Sequence, residues 1–166
     1  MSLRKSRNFL EKTHPFEVTS LPKHFVVTGY APDRSGERVL LLFHRKLRMW
    51  LPPGGHVEPH EHPTQSLVRE FAEETGLRVR PVGPALRSRE PGVLTLARPH
   101  HVQVETIDGK HEHIDLVYFC RITGGRLRGN SESEELRWFT RKELGAPEVS
   151  ENVRRYGREL LRTSHR

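Results

Sequence analysis

The 166-residue chain has one cysteine, Cys120, so no disulfide can form within it. That excludes a small domain stapled by disulfides and points to a reducing, cytoplasmic setting. No apolar run comes near the roughly 18 to 20 residues that a membrane-spanning helix needs, so no membrane span is expected. The basic start, MSLRKSRNFLEK, lacks the apolar stretch of a secretory signal. Aromatic residues make up only 7%, and neither an aromatic RNA-binding strand nor a zinc-finger spacing is present. Repeats, low-complexity tracts and long linkers are missing too. The expectation is an irregular lead-in over residues 1–22, then one domain over residues 23–166, large enough for a real core.

What the chain does carry is charge. Twenty-eight Lys and Arg against 21 Asp and Glu give a net +7, and mean hydropathy is −0.69. A basic balance favours anionic partners. The basic residues fall in short clusters (4–7, 44–48, 154–158) without a basic arm. RNA is therefore permitted, and a small phosphorylated molecule is favoured.

Alternating apolar residues predict strands at 24–31, 38–45, 77–86, 101–107, 113–122 and 135–139. The first two read as a hairpin across APDRSGE, and DGKH (108–111) reads as a hairpin turn. Helices are expected from about Pro63 to Thr75 and over residues 150–162. Pro63 suits a first helical position, Gly76 a left-handed C-terminal cap, and Ser150 an N-cap. The order implies an α/β fold with a mixed sheet covered by helices.

The first helix ends in REFAEETG (69–76). Glu70, Glu73 and Glu74 crowd within one turn near the negative end of the helix macrodipole. Like charges at i, i+4 cost a few tenths of a kcal/mol per pair, and the dipole adds to the penalty. Leu67, Val68, Phe71, Ala72 and Thr75 are assigned to the packed face. Ser66, Glu70, Glu73 and Glu74 are assigned to an acidic stripe turned outward. Three such carboxylates suit a hard divalent cation, which takes oxygen ligands and usually shares them with phosphates.

The stripe belongs to a longer pattern. Gly55, five residues, Glu61, seven residues, then Arg69-Glu70-Phe71-Ala72-Glu73-Glu74-Thr75-Gly76-Leu77 fill every fixed position of G-x5-E-x7-R-E-U-x-E-E-x-G-U, where U is apolar. This resembles the signature of the Nudix hydrolases, and a weaker likeness covers about residues 20–163. The resemblance implies an α/β/α sandwich and Mg²⁺-dependent hydrolysis of a phosphoanhydride in a nucleotide or nucleoside diphosphate derivative, with Mn²⁺ a possible substitute. It implies that Glu70, Glu73 and Glu74 carry the metal with carbonyl help from the Gly54-Gly55 loop. It also implies that Glu70, or an acid from a later loop, assists the attacking water. Arg69 and Glu61 read as a charge pair that holds the loop on the helix and aims Glu70. Homodimers are common in the family. A nucleotide-sensing module without turnover and an RNA 5′-end pyrophosphohydrolase are the alternatives.

For the acid outside the motif, Glu105, Glu112 and Asp115 are candidates. Glu112 and Asp115 have opposite strand parity, and Glu112 is preferred. Arg45 and Arg48, ahead of the glycine loop, could grip phosphate oxygens. Eleven histidines are present. His56-x3-His60-x-His62 could suggest zinc, but no cysteine is near and adventitious contact is the simpler reading. Trp50 and Trp138 are read as packing residues, and Cys120 as a small buried one.

Overall fold

The computed structural model describes residues 20–84, 88–130 and 133–164. Eight strands and two helices follow in the order β1 Lys23–Tyr30, β2 Arg38–His44, β3 Met49–Leu51, β4 Gly54–His56, α1 Pro63–Thr75, β5 Leu77–Pro81, β6 His101–Ile107, β7 His111–Gly125, β8 Ser133–Thr140 and α2 Glu151–Thr163. They form two sheets. The larger runs β4-β1-β7-β5 with β6 also on β7, and the smaller runs β3-β2-β8. β1 and β7 pair in parallel while their neighbours are antiparallel, so the larger sheet is mixed.

The hairpin expected between residues 24–31 and 38–45 does not form. β1 and β2 enter different sheets, and an isolated bridge between Pro32 and Val39 marks the crossover. Strand alternation cannot choose a partner. The long β7 offers β1 a fully apolar neighbour in Val117 and Phe119, and burial decides the pairing. The DGKH turn does join β6 to β7, with Asp108 and Gly109 both at positive φ (50° and 65°) as a tight two-residue turn requires. Strand β5 stops at Pro81, short of the expected 77–86.

Two cores result. Leu67 and Phe71 of α1 sink completely beside Val27, Leu40, Tyr118 and Cys120. On the opposite face of β1 and β7, Val153, Tyr156, Leu160 and Leu161 of α2 cover Tyr30, Val117 and Phe119. Each fully buried Leu or Phe side chain contributes about 1.5–3 kcal/mol, so these faces fix both helices. Trp50 and Trp138 belong to the packing as expected, Trp50 edge-on to Phe43 and Phe139.

Candidate active site

Helix α1 keeps the expected bounds. His62 is its N-cap. The His62 Nδ1 accepts from the Gln65 amide (3.3 Å), and Gln65 Oε1 accepts from the His62 amide (3.1 Å). This is a capping box with histidine in the usual Ser or Thr place. Gly76 takes φ 70°, which lets its amide close the helix on Ala72 O.

The acidic stripe is not a solvated face. Glu74 lies seven residues after Leu67 and three after Phe71, so 3.6 residues per turn puts it in line with both, and it is buried. Its Oε2 accepts from the Gly54 amide at 2.9 Å. Ser66, also assigned outward, is completely buried and donates to the His56 carbonyl at 2.9 Å. Val68, assigned inward, is 36% exposed. Only Glu73 keeps a largely exposed side chain.

Arg69 joins the acids. Its Nε and Nη2 grip Glu61 at 2.8 and 3.0 Å, a two-point pairing that guanidinium geometry favours. Nη1 donates to Glu70 (2.8 Å) and Glu73 (3.2 Å), and Nη2 also reaches the His56 carbonyl (3.2 Å). The Arg69 hydrogen bond holds the Glu61 carboxyl below its ordinary range, and Glu61 in turn holds Arg69 firmly protonated. Gly55 stands against the Glu70 carboxylate. A Cβ on Gly55 would fall 2.5 Å from Glu70 Cδ, so only glycine leaves that space. Glu61, Arg69, Glu70, Glu73, Glu74, Gly54 and Gly55 thus form one cluster between β4 and α1.

The remaining candidates lie elsewhere. Glu112 is buried on the α1 face of the larger sheet, 3.0 Å from Lys23 Nζ. Arg45 and Arg48 are exposed on the β2–β3 turn, and Arg48 sits over the Phe43 ring. On the α2 face, strand register aligns His24, His113 and Glu105 in one row. His56, Val26, Asp115 and Gln103 form the next. Burial pushes the Asp115 carboxyl up to about 6 and the Glu105 carboxyl upward as well. Gln103 links them, donating to Glu105 Oε1 (2.8 Å) and Asp115 Oδ2 (3.1 Å) while accepting from Tyr156 OH (2.8 Å). Asp115 Oδ1 has no partner among the described residues. Burial and the neighbouring imidazoles of His56, His111 and His24 hold His113 below the usual histidine range. Sequence reasoning named Glu105 and Asp115 as candidate acids but missed the Gln103 link between them and its tie to Tyr156, 53 residues away on α2.

The NUDIX domain profile matches residues 22–161. The chain belongs to the Nudix family. As an enzyme it falls among the Nudix pyrophosphohydrolases. A MutT-like protein of Streptomyces ambofaciens is 29% identical over 81% of this chain and 76% of its own length. A Mycobacterium tuberculosis protein provisionally named 8-oxo-dGTP diphosphatase 3 is 30% identical over 69% of this chain and half of its own. Among solved structures, a NUDIX-family hydrolase of Clostridium perfringens superimposes with a TM-score of 0.73 at 30% identity, covering 86% of this chain and 98% of that one. The Nudix signature therefore sits in a Nudix fold, with the sandwich expected of it. No helix among the described residues is long and apolar enough to cross a membrane.

Proposed function

We propose that this Nudix hydrolase cleaves a phosphoanhydride bond in a nucleotide or nucleoside diphosphate derivative, with Mg²⁺ as cofactor. One observation carries the reading: three carboxylates gather around the guanidinium of Arg69, and a fourth, Glu74, is held beside them by the Gly54 amide. The named side chains hold three more negative charges than positive ones. Their donors, with the Gly54 carbonyl, are all oxygen, which suits a hard cation. Glu70, Glu73 and Glu74 would hold it. When bound, such a cation supplies charge to phosphate oxygens and acidifies water.

The chain's own residues do the rest. Glu61 locks the Arg69 fork, and Arg69 fixes the Glu70 carboxylate against Gly55. That position suits Glu70 to take the proton of the attacking water. Glu112 is not the acceptor proposed, because its carboxylate faces Lys23 at 3.0 Å. Glu73, open to solvent, could turn toward the cation without exposing apolar surface. Arg45 and Arg48 would meet the substrate's phosphates from the β2–β3 turn. The nucleotide class draws support from the net +7 charge and from the relative provisionally named for 8-oxo-dGTP.

The test is a panel of nucleoside triphosphates, oxidised nucleotides, nucleotide sugars, dinucleoside polyphosphates and 5′-triphosphate RNA with Mg²⁺. Products are resolved by chromatography beside Glu70→Gln and Glu74→Gln. Cleavage of one class by wild type, and its loss in both variants, is expected. Wild-type levels of turnover in both variants would sink the site assignment. Ligand binding without any turnover would replace it with a sensing role.

A further inference from the structure

A second cluster of ligand-competent side chains lies on the opposite face of the larger sheet from α1. His24 on β1 pairs in register with His113 on β7, so the two imidazoles project side by side. His56, the last residue of β4, pairs with Val26, two positions along β1 on the same side. Neighbouring strands run about 4.8 Å apart, and residues directly opposite have Cβ atoms about 4.5–5.5 Å apart. Three strands therefore bring three imidazoles to the corners of one triangle. Their ring centroids are 4.9 Å (His56–His113), 5.7 Å (His24–His56) and 6.4 Å (His24–His113) apart. One ring nitrogen from each lies within 4.8 Å of the others.

We propose that His24, His56 and His113 form a binding site for a borderline transition metal of the Zn²⁺ type, separate from the acidic cluster and independent of the phosphoanhydride reading. Zn–N bonds of about 2.0–2.1 Å in tetrahedral array bring ligand nitrogens about 3.3 Å apart. The largest separation must therefore close by up to about 1.5 Å. His24 and His56 are exposed and His113 half-buried, so two of the three rings can rotate into place without opening the core. His111 stands beside the triangle, its Nε2 3.1 Å from that of His113. Two imidazole nitrogens that close can share a proton, or trade that contact for a common ion.

Donor chemistry separates the two sites. Imidazole suits zinc, nickel and copper, whereas carboxylate and carbonyl oxygens suit magnesium. The loop triplet His56, His60 and His62 does not converge, because the His62 ring caps α1 and the His56 ring stands on the sheet. A bound ion would tie β4 to β1 and β7 one residue from Gly55. It would therefore stabilise the strand against which Glu70 rests.

The experiment titrates untagged, metal-stripped protein with Zn²⁺ against a chromophoric chelator at near-neutral pH, with excess Mg²⁺ throughout. Wild type is compared with His24→Asn, with His113→Asn and with a Glu70→Gln/Glu73→Gln/Glu74→Gln triple variant. One tight equivalent is expected in wild type and in the triple variant, with a rise in melting temperature on zinc addition. Each histidine variant should lose affinity by roughly 100-fold or more, since even an outer-shell partner costs about 10- to 100-fold. Near-ultraviolet circular dichroism of the zinc-free proteins checks that the histidine variants fold. Zinc affinity unchanged in His113→Asn would overturn the proposal and place the ion on other histidines. Zinc lost in the triple variant, or displaced by Mg²⁺, would assign it to the acidic cluster and overturn the proposal too. Absence of a tight equivalent in folded wild type would show the three rings to be packing partners only.

Discussion

Gly55→Ala is the sharpest probe of the proposed site. The added methyl would lie 2.5 Å from both Cδ and Oε1 of Glu70 and 2.8 Å from Oε2. Carbon contacts settle at about 3.5–4.0 Å, so the carboxylate must retreat by about 1 Å. Glu70 is also held by Arg69 Nη1 at 2.8 Å. Retreat therefore strains the bond that aims it and transmits the shift to Glu61. A misplacement of about 1 Å in a positioned catalytic group costs on the order of 100-fold. The expected loss in kcat/KM is thus about 100-fold, equivalent to roughly 2.7 kcal/mol at 1.36 kcal/mol per decade. Stability should change little, because Gly55 is on a short edge strand and the methyl meets a side chain end. The assay pairs steady-state kinetics with thermal melting. Gly54→Ala serves as the contrast, because there the methyl meets the Val27 carbonyl of the backbone and the fold itself must give. Gly55→Ala with near wild-type kcat/KM would refute the placement of Glu70 in the reaction. A large fall in melting temperature would refute the claim that this glycine serves the site and not the sheet.

Arg69→Lys should lower kcat/KM by about 10- to 100-fold, the usual cost of losing a partner that orients metal ligands, if Glu70 and Glu73 act as proposed, because an ammonium cannot span Glu61, Glu70 and Glu73 together. Its melting temperature should respond to Mg²⁺ more strongly than wild type does, because the freed carboxylates can turn to the ion, and an unchanged response would refute the role of the Arg69 fork in holding Glu70 and Glu73. Glu143→Gln should destabilise the protein at neutral pH. The Glu143 carboxyl is held down to about 2, first by the Thr140 amide and hydroxyl and then by Arg137. A lowered carboxyl stabilises above its unfolded value and loses that contribution as pH falls toward about 2. The melting difference from wild type should therefore shrink between about pH 5 and pH 2, and a constant difference would contradict it. Cys120 is buried in the α1-side core and its thiol is pushed upward by burial. Thiol reagents should label it only after unfolding, and rapid labelling of native protein would overturn that packing.

Local rules made much of this protein legible in its sequence. Pro63 and Gly76 mark the ends of α1, Ser150 caps α2, and Asp108-Gly109 turns β6 into β7. Each works through the φ angle or the hydrogen bond of one residue. The spacing from Gly55 to Leu77 identified the family because it is a contiguous pattern. The acidic helix face was misread because a charged residue was assumed to face water. Position alone puts Glu74 on the same helix face as Leu67 and Phe71, and the Gly54 amide makes its burial tolerable. The β1–β2 hairpin was misread for a related reason, since alternation names a strand but not its partner.

The sequence alone settled the family, the two helices and the residues of the acidic cluster, because those depend on neighbours within about 23 positions. Only the tertiary structure decided which carboxylates are held and by what. It also brought His24, His56 and His113 together, and Asp115 under Gln103. Those meetings depend on strand register across chain separations that no local pattern encodes, and register is fixed by burying both faces of the larger sheet at once.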